Sequence, residues 1–469
     1  MFIRSTRRAL ISSACVVGNY LTSNSYNTLQ ARCSQDGDQQ IDKINQRIVI
    51  VGGGTAGIGI AGMLRNEGMK NVTIVEPNSD HYYQPLWTLV GAGIKSNQES
   101  KRPLKDILPS NVKLISKRVS IFEANNNKVV LEDGNFIEYD YLIVAAGIQI
   151  DWNKIPGLQE GLSIEESGVV SVYDYSYSNK TWNQFKETIK LPQFKMIFTM
   201  SPTVIKCAGA PQKIMWLLED TLRAIKLRDR ADIQFWTPTG AMFGVKRYSD
   251  QLEVIRQERG VNAFFKQELV SIDVSKKIAT FKNLETNLVM TTHYDFLHVA
   301  PHMGPPDCIK TSPFANPDGW MAVNKHTLQS TSYPNVFGIG DCTNTPNSKT
   351  AAAIAAQAPV VVHNLKQAIN NKPLDGYYTG YASCPLIVTR NKAILAEFGY
   401  DGKIMETFSK DTGKFPLSLL GQDGELSHRF FYFMKEHMFP FVYWRWWVNG
   451  KWFGTNGPFK PDVTRKEDK

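Results

Sequence analysis

The sequence has no run of 18 uncharged apolar residues, the length a membrane-crossing helix needs, so a polytopic membrane protein is excluded. Its six cysteines among 469 residues are too sparse for a secreted disulfide scaffold and must be weighed singly. No tandem repeat and no low-complexity tract is visible. None of the eight histidines stands at metal-ligand spacing from a cysteine, so no bound metal is expected. Positive charge is not concentrated on the body of the chain either. The formal net charge is +9; residues 1–34 hold +4 and residues 426–469 another +4, leaving +1 between them. A near-neutral body with basic ends argues against a nucleic-acid partner.

What is present describes a folded chain. Hydrophobic residues make up 42% and charged residues 21%, and the length suits two to three domains. The first 34 residues carry Arg4, Arg7, Arg8 and Arg32 among serines and apolar groups, with no acid. That is the composition of a mitochondrial transit peptide, which would leave with Cys15 and Cys33. Residues 35–46 read as a polar linker.

Structure is expected from Arg47-Ile-Val-Ile-Val51, a short apolar run of the kind buried in a parallel sheet. Gly52-Gly53-Gly54-Thr55-Ala56-Gly57 follows, then a helical pattern from Ile58 to about Glu67 and a strand Val72–Glu76. Gly52, Gly54 and Gly57 fit G-x-G-x-x-G in its required setting, between a strand and a helix. The first permits a tight turn, the second lets the backbone approach a pyrophosphate, and the third allows close packing of helix on strand. The helix N-terminus offers N–H groups to phosphate. Glu76, 19 residues beyond Gly57, ends the second strand, where a carboxylate can accept ribose hydroxyls.

The rest of the chain specifies the dinucleotide. A strand Tyr139–Gly147 closes the first section. Tyr333–Asp341 is a strand ending in Gly-Ile339-Gly-Asp341, followed by Lys349 and an Ala-rich helix, Thr350–Val362. An Asp at a strand end can bind a ribityl hydroxyl, and a following helix N-terminus favours negative charge on a flavin. Together with Glu76 and Gly147 this reads as FAD. Between them the pattern repeats with strand Lys195–Thr199, a helix over about 211–228 and strand Ile233–Thr237. The expected organisation is a discontinuous FAD domain (47–150 and 331–380), a second Rossmann-like domain (151–330) and a C-terminal region (381–469).

This arrangement resembles the two-dinucleotide-binding-domain flavoproteins, most of which carry a second glycine triplet for NADH. Here the equivalent strand runs into Phe198-Thr-Met-Ser-Pro-Thr-Val-Ile-Lys-Cys-Ala-Gly-Ala-Pro211. Met200, Pro202 and Val204 occupy the turn, so a nicotinamide cofactor is not expected and electrons must come from elsewhere. Cys207 stands beside Lys206, just before Pro211 opens a helix; that placement lowers a thiol pKa. Cys384 follows 177 residues later in Tyr381-Ala-Ser-Cys-Pro-Leu-Ile. Either one taken alone is more often a small buried apolar residue. Cys342 reads as structural and Cys308 as a bystander.

Several stretches together resemble the sulfide:quinone oxidoreductase family of the mitochondrial type. They are Ile205–Ile214, Gly340-Asp-Cys-Thr-Asn344, Ser348-Lys-Thr-Ala-Ala-Ala353, Ser383-Cys-Pro385 and His81–Gly93. The resemblance spans about Arg47 to Trp452. It implies that Cys207 and Cys384 are the redox pair, and that Gln84 and Val119 join the flavin-binding set. It implies that sulfide attacks a bridge between the cysteines and leaves a persulfide on one of them. Electrons pass through FAD to ubiquinone, and an external acceptor such as glutathione or sulfite takes the sulfane sulfur. Because a thiolate at a helix N-terminus leaves well, attack is expected at Cys384. Residues 47–150 hold no cysteine, so noncovalent FAD is expected.

The tail has its own character: 12 of the 24 residues from Phe430 to Phe453 are aromatic, interspersed with Lys435, Arg445 and Lys451. This matches an interfacial membrane anchor, with Pro440 dividing it into two short helical pieces. Phe431, Phe433, Phe439 and Tyr443 are candidates for a quinone entrance. The expected fold is therefore α/β, two Rossmann-like domains plus an amphipathic C-terminal segment, peripheral on the inner mitochondrial membrane. The rival readings are a type II NADH:quinone oxidoreductase and a flavin-binding redox-signalling protein without turnover.

Overall fold

The structure, a computed structural model, describes residues 44–408 and 427–464. The expected transit peptide, with Cys15 and Cys33, and most of the expected linker lie outside the described residues.

The first lobe begins with β1 (Ile48–Val51), α1 (Thr55–Asn66), β2 (Val72–Val75), β3 (Val112–Ile115) and β4 (Tyr141–Val144). β1 and β2 are buried along their whole length, because both faces of a parallel sheet are covered. β-Branched residues at all eight of those positions suit such a strand. The second lobe is built from β5 (Val169–Val170), β6 (Phe194–Thr199), α2 (Ala210–Ala224), β7 (Ala231–Trp236), β8 (Asn262–Phe264) and β9 (Phe296–His298). Its parallel sheet has the order β5-β9-β6-β7-β8. The chain then returns to the first lobe with β10 (Val336–Gly338) and α3 (Ala351–Ile369). The first sheet is completed in the order β10-β4-β1-β2-β3, all parallel. α3 runs seven residues past the expected end at Val362, through a buried Pro359.

An antiparallel hairpin follows, β11 (Ala382–Thr389) against β12 (Lys392–Phe398). The aromatic tail then forms α4 (Arg429–Phe433), one π turn over Met434–Met438, and α5 (Phe439–Arg445). The tail therefore does not part at Pro440 as expected. Pro440 falls in the first turn of α5, where its missing N–H is tolerated, and the preceding π turn absorbs the register change. No helix among the described residues is long and apolar enough to cross a membrane.

Candidate functional site

The glycine loop lies between β1 and α1, at the carboxyl ends of the parallel strands, where such sheets form their binding crevice. Gly52 has φ +106°, and a Cβ there would stand 2.3 Å from the carbonyl oxygen of Ala145. A Cβ on Gly57 would stand 1.8 Å from the carbonyl oxygen of Gly52, so helix and strand meet at van der Waals range. Gly54, in contrast, faces open space, and α1 begins there without a side-chain cap. The Gly53 N–H donates to Glu76 Oε2 at 2.7 Å, while Glu76 Oε1 accepts from the backbone and side chain of Asn78. Gly147, with φ +73°, also opens onto free space beyond β4. These are the features a bound pyrophosphate needs: a pinned loop, an uncapped helix start and a gap lined by glycine. The residues present therefore fit FAD.

Ile339 is buried and its N–H continues the sheet onto Val144, which places Asp341 in the one-turn helix Gly340–Cys342 just beyond β10. Burial raises the Asp341 carboxyl above its ordinary range, against the opposing charges of Lys349 and Lys206. Lys349 is buried and its Nζ donates to the carbonyls of Thr343 and Thr345 at 2.7 and 3.2 Å. Its own carbonyl accepts the Cys207 N–H at 2.8 Å, so the flavin motif and the cysteine loop are directly joined. Cys342 is fully buried and its thiol is pushed up to about 12. Val119 is buried in a separate antiparallel pair, Val119–Glu123 with Lys128–Leu131, and Gln84 is exposed at the head of a single turn. Neither belongs to the loop itself.

Cys207 and Cys384 come together. Cys207 precedes α2 with φ +52°, left-handed and uncommon for a residue with a Cβ, and its carbonyl accepts the Ala210 N–H at 2.8 Å. Cys384 is buried in β11, opposite Ala396. Their Sγ atoms are 4.0 Å apart, both as free thiols. A disulfide needs about 2.05 Å, so the sulfurs stand about 2 Å beyond bonding distance. A Cβ on Gly209 would lie 2.6 Å from Cys384 Sγ, so glycine at that position makes the approach possible.

Two lysines not assigned to the cysteines from sequence complete the cluster. Lys213, in the first turn of α2, places Nζ 3.2 Å from Cys207 Sγ. The hydrogen bond from the Cys384 thiol and the ammonium of Lys213 hold Cys207 well below the ordinary thiol range, against burial. The donor, Cys384, is raised well above it, by that bond and then by burial. Burial alone would lower Lys213, but the sulfur charge on Cys207 raises it. Lys435, from the π turn, is buried and hydrogen-bonds the carbonyl of Pro85; burial, then the charge of Lys213, brings it down to about 7. Helical spacing from Pro211 could have located Lys213 in sequence; nothing local marks Lys435. The arrangement is two sulfurs 4.0 Å apart, one with its thiol pKa lowered and the other with its raised, beside the positive charge of Lys213 and next to a dinucleotide crevice.

Of the aromatic candidates in the tail, Phe431 and Tyr443 are buried and Phe439 is half-buried. Phe433, and Phe441 farther along the tail, face outward, 52% and 60% exposed.

Known proteins match this architecture. The family model described as pyridine nucleotide-disulphide oxidoreductase matches residues 26–184. The mitochondrial sulfide:quinone oxidoreductase of Dictyostelium discoideum is 42% identical over 428 residues, covering 89% of each chain. That of Mus musculus is 42% identical over 420 residues, covering 88% of each. The crystal structure of the sulfide:quinone oxidoreductase from Aquifex aeolicus superposes with a TM-score of 0.72 at 19% identity, covering 89% of this chain and 93% of that one.

Proposed function

This chain belongs to the mitochondrial sulfide:quinone oxidoreductase family, and from that premise we propose how its residues carry out sulfide oxidation coupled to quinone reduction. The observation that carries the reading is the contact between Cys207 and Cys384, at 4.0 Å and against Lys213.

In the oxidised enzyme the two sulfurs form a bridge. Hydrosulfide attacks Cys384 Sγ; the new S–S bond forms as the Cys207–Cys384 bond breaks, leaving a persulfide on Cys384 and a thiolate on Cys207. Cys207 is the better leaving group because Lys213 and the start of α2 stabilise its charge. An external nucleophile, glutathione or sulfite, then takes the outer sulfur and frees Cys384. Re-forming the bridge releases two electrons and, from two thiols, two protons. FAD would be held noncovalently by the loop 52–57, Glu76, Gly147, Ile339, Asp341 and Lys349, joined on the family resemblance by Gln84 and Val119, and when bound would supply the two-electron acceptor between thiols and ubiquinone. Lys435, brought down to about 7, is placed to exchange a proton beside the sulfurs at neutral pH. The outward rings of Phe433 and Phe441 support docking on the surface of the inner mitochondrial membrane, where the quinone is dissolved.

The test is an anaerobic titration followed through flavin absorption, first with sulfide and then with NADH. Bleaching by sulfide alone, lost in Cys207→Ser and in Cys384→Ser, is the expected result. Bleaching by NADH would favour the NADH:quinone reading, which the absence of a glycine triplet after β6 opposes. A spectrum unchanged by sulfide would favour the signalling protein. Rapid reduction of Cys384→Ser by sulfide would overturn the two-cysteine mechanism even if sulfide remained the donor.

A further inference from the structure

One face of α1 carries Thr55, Gly59, Gly62 and Asn66, spaced by four, three and four residues, and all four meet the C-terminal segment. The Thr55 hydroxyl lies 2.9 Å from the Tyr443 hydroxyl, and the Thr55 carbonyl accepts from Trp447 Nε1 at 2.9 Å. A Cβ on Gly59 would stand 2.3 Å from the Trp447 indole, and one on Gly62 2.6 Å from the backbone nitrogen of Gly450. Gly450 is itself left-handed, at φ +65°. Asn66 Nδ2 donates to the carbonyls of Asn449 and Gly450 at 2.9 and 3.0 Å. Glycine at 59 and 62 leaves the groove into which the segment fits.

The same segment reaches the phosphate loop by a second route. His81 is buried, with Nδ1 2.9 Å from the Gly53 carbonyl and Nε2 2.6 Å from the Tyr443 hydroxyl. A carbonyl cannot donate, so Nδ1 carries the proton; burial brings the ring down to about 4, so it is neutral at pH 7. Nε2 is then an acceptor, Tyr443 donates to it, and the Tyr443 oxygen accepts from Thr55. The loop is thereby held at four points. Glu76 takes the Gly53 N–H, His81 the Gly53 carbonyl, Tyr443 the Thr55 hydroxyl and Trp447 the Thr55 carbonyl. Two of the four come directly from the C-terminal segment, and a third, His81, is oriented by it.

We infer that residues 443–450 clamp the cofactor's phosphate loop, so that docking of the C-terminal segment and binding of FAD strengthen one another. A loop already held in its binding shape does not lose that freedom when the ligand arrives, and linkage makes the effect reciprocal. Tyr443 and His81 are positioning residues in this scheme. The inference rests on the reading of this loop as the FAD site.

The experiment compares FAD dissociation constants, by flavin fluorescence, for the wild-type apoprotein, Tyr443→Phe, Thr55→Val and the double variant. In parallel, the rate of tryptic cleavage at Arg445 and Lys451 is measured with and without FAD. Each single variant is expected to weaken FAD by roughly five- to tenfold, about the worth of one hydrogen bond, and the double variant by no more than either. In the wild type FAD should slow cleavage in the segment, and Tyr443→Phe should lose that protection. Effects that add in the double variant would mean that Thr55 acts on FAD by itself, and would overturn the clamp. Cleavage rates indifferent to FAD would overturn it too. A wild-type chain that takes up no FAD overturns the cofactor reading, and the clamp falls with it; the two failures differ in whether flavin binds at all.

Discussion

The sulfur of Cys384 stands 2.6 Å from the point where any residue other than glycine at position 209 would put its Cβ. The approach of Cys207 and Cys384, between β11 and the start of α2, thus depends on a hydrogen atom at position 209.

Gly209→Ala should therefore separate the sulfurs while leaving FAD bound. The added methyl needs about 1 Å more room than the contacts allow, and Cys384 Sγ and Leu386 Cδ2, both on β11 and each 2.6 Å from the methyl's position, must yield. Stopped-flow bleaching of the flavin by sulfide is expected to slow at least about tenfold at unchanged flavin content. An unaltered rate would show that the two sulfurs do not need this spacing.

Lys213→Met removes the cation 3.2 Å from Cys207 Sγ. The charged form of the thiol loses its partner, so the Cys207 pKa must rise. The pH profile of iodoacetamide alkylation at Cys207 should move upward by at least about one pH unit, and Lys213→Arg should restore most of the loss. An unchanged profile would remove Lys213 from the mechanism.

Glu219 is fully buried on α2, and its carboxylate receives Arg223 Nε and Arg259 Nη1, each at 2.6 Å, and Arg228 Nε at 3.2 Å. Arg228 in turn holds the carbonyls of Ala231, Arg259 and Gly260. Glu219→Ala leaves these guanidinium groups without their common acceptor. Urea unfolding should show a loss of about 3 kcal/mol or more; a loss below about 1 kcal/mol would mean the cluster stays solvated.

His298 is fully buried in β9, and burial brings it down to about 3 from an ordinary value near 6.5. Between those values the unfolded chain binds a proton that the folded chain does not. This stabilisation is full above pH 6.5 and is lost as pH falls toward 3, by about 2 kcal/mol between pH 7 and pH 5. Urea midpoints at the two pH values check it, and His298→Phe should flatten the difference.

The first βαβ unit was legible because its constraints are local. Gly52 needs its conformation beside Ala145, Gly57 its closeness to Gly52, and each need leaves a glycine within a few residues of a β-branched run. The turn after β6 is local in the same way, with Met200, Pro202 and Val204 where a second glycine triplet would stand. Lys435 was not legible, because it reaches the cysteines only once the tail has folded over Pro85, some 350 residues earlier in the chain. The tie from His81 to Tyr443 was hidden likewise, and a tail dense in rings reads as membrane anchor even where Tyr443 and Trp447 point inward. Pro440 misled in a different way. Its ring breaks a helix interior, but here it falls in the first turn of α5, directly after a π turn.

The order of the strands in the first sheet bears on how the chain is made. β4 has no neighbour on its outer edge until Val336–Gly338 is synthesised, nearly 200 residues later. Cys207 likewise leaves the ribosome 177 residues ahead of Cys384. At ordinary elongation rates it spends roughly 10 to 35 s unpaired. A nascent chain with an open sheet edge, and with the Cys207 thiol still lacking Cys384, is most vulnerable to oxidation and aggregation in that interval, before its final quarter exists.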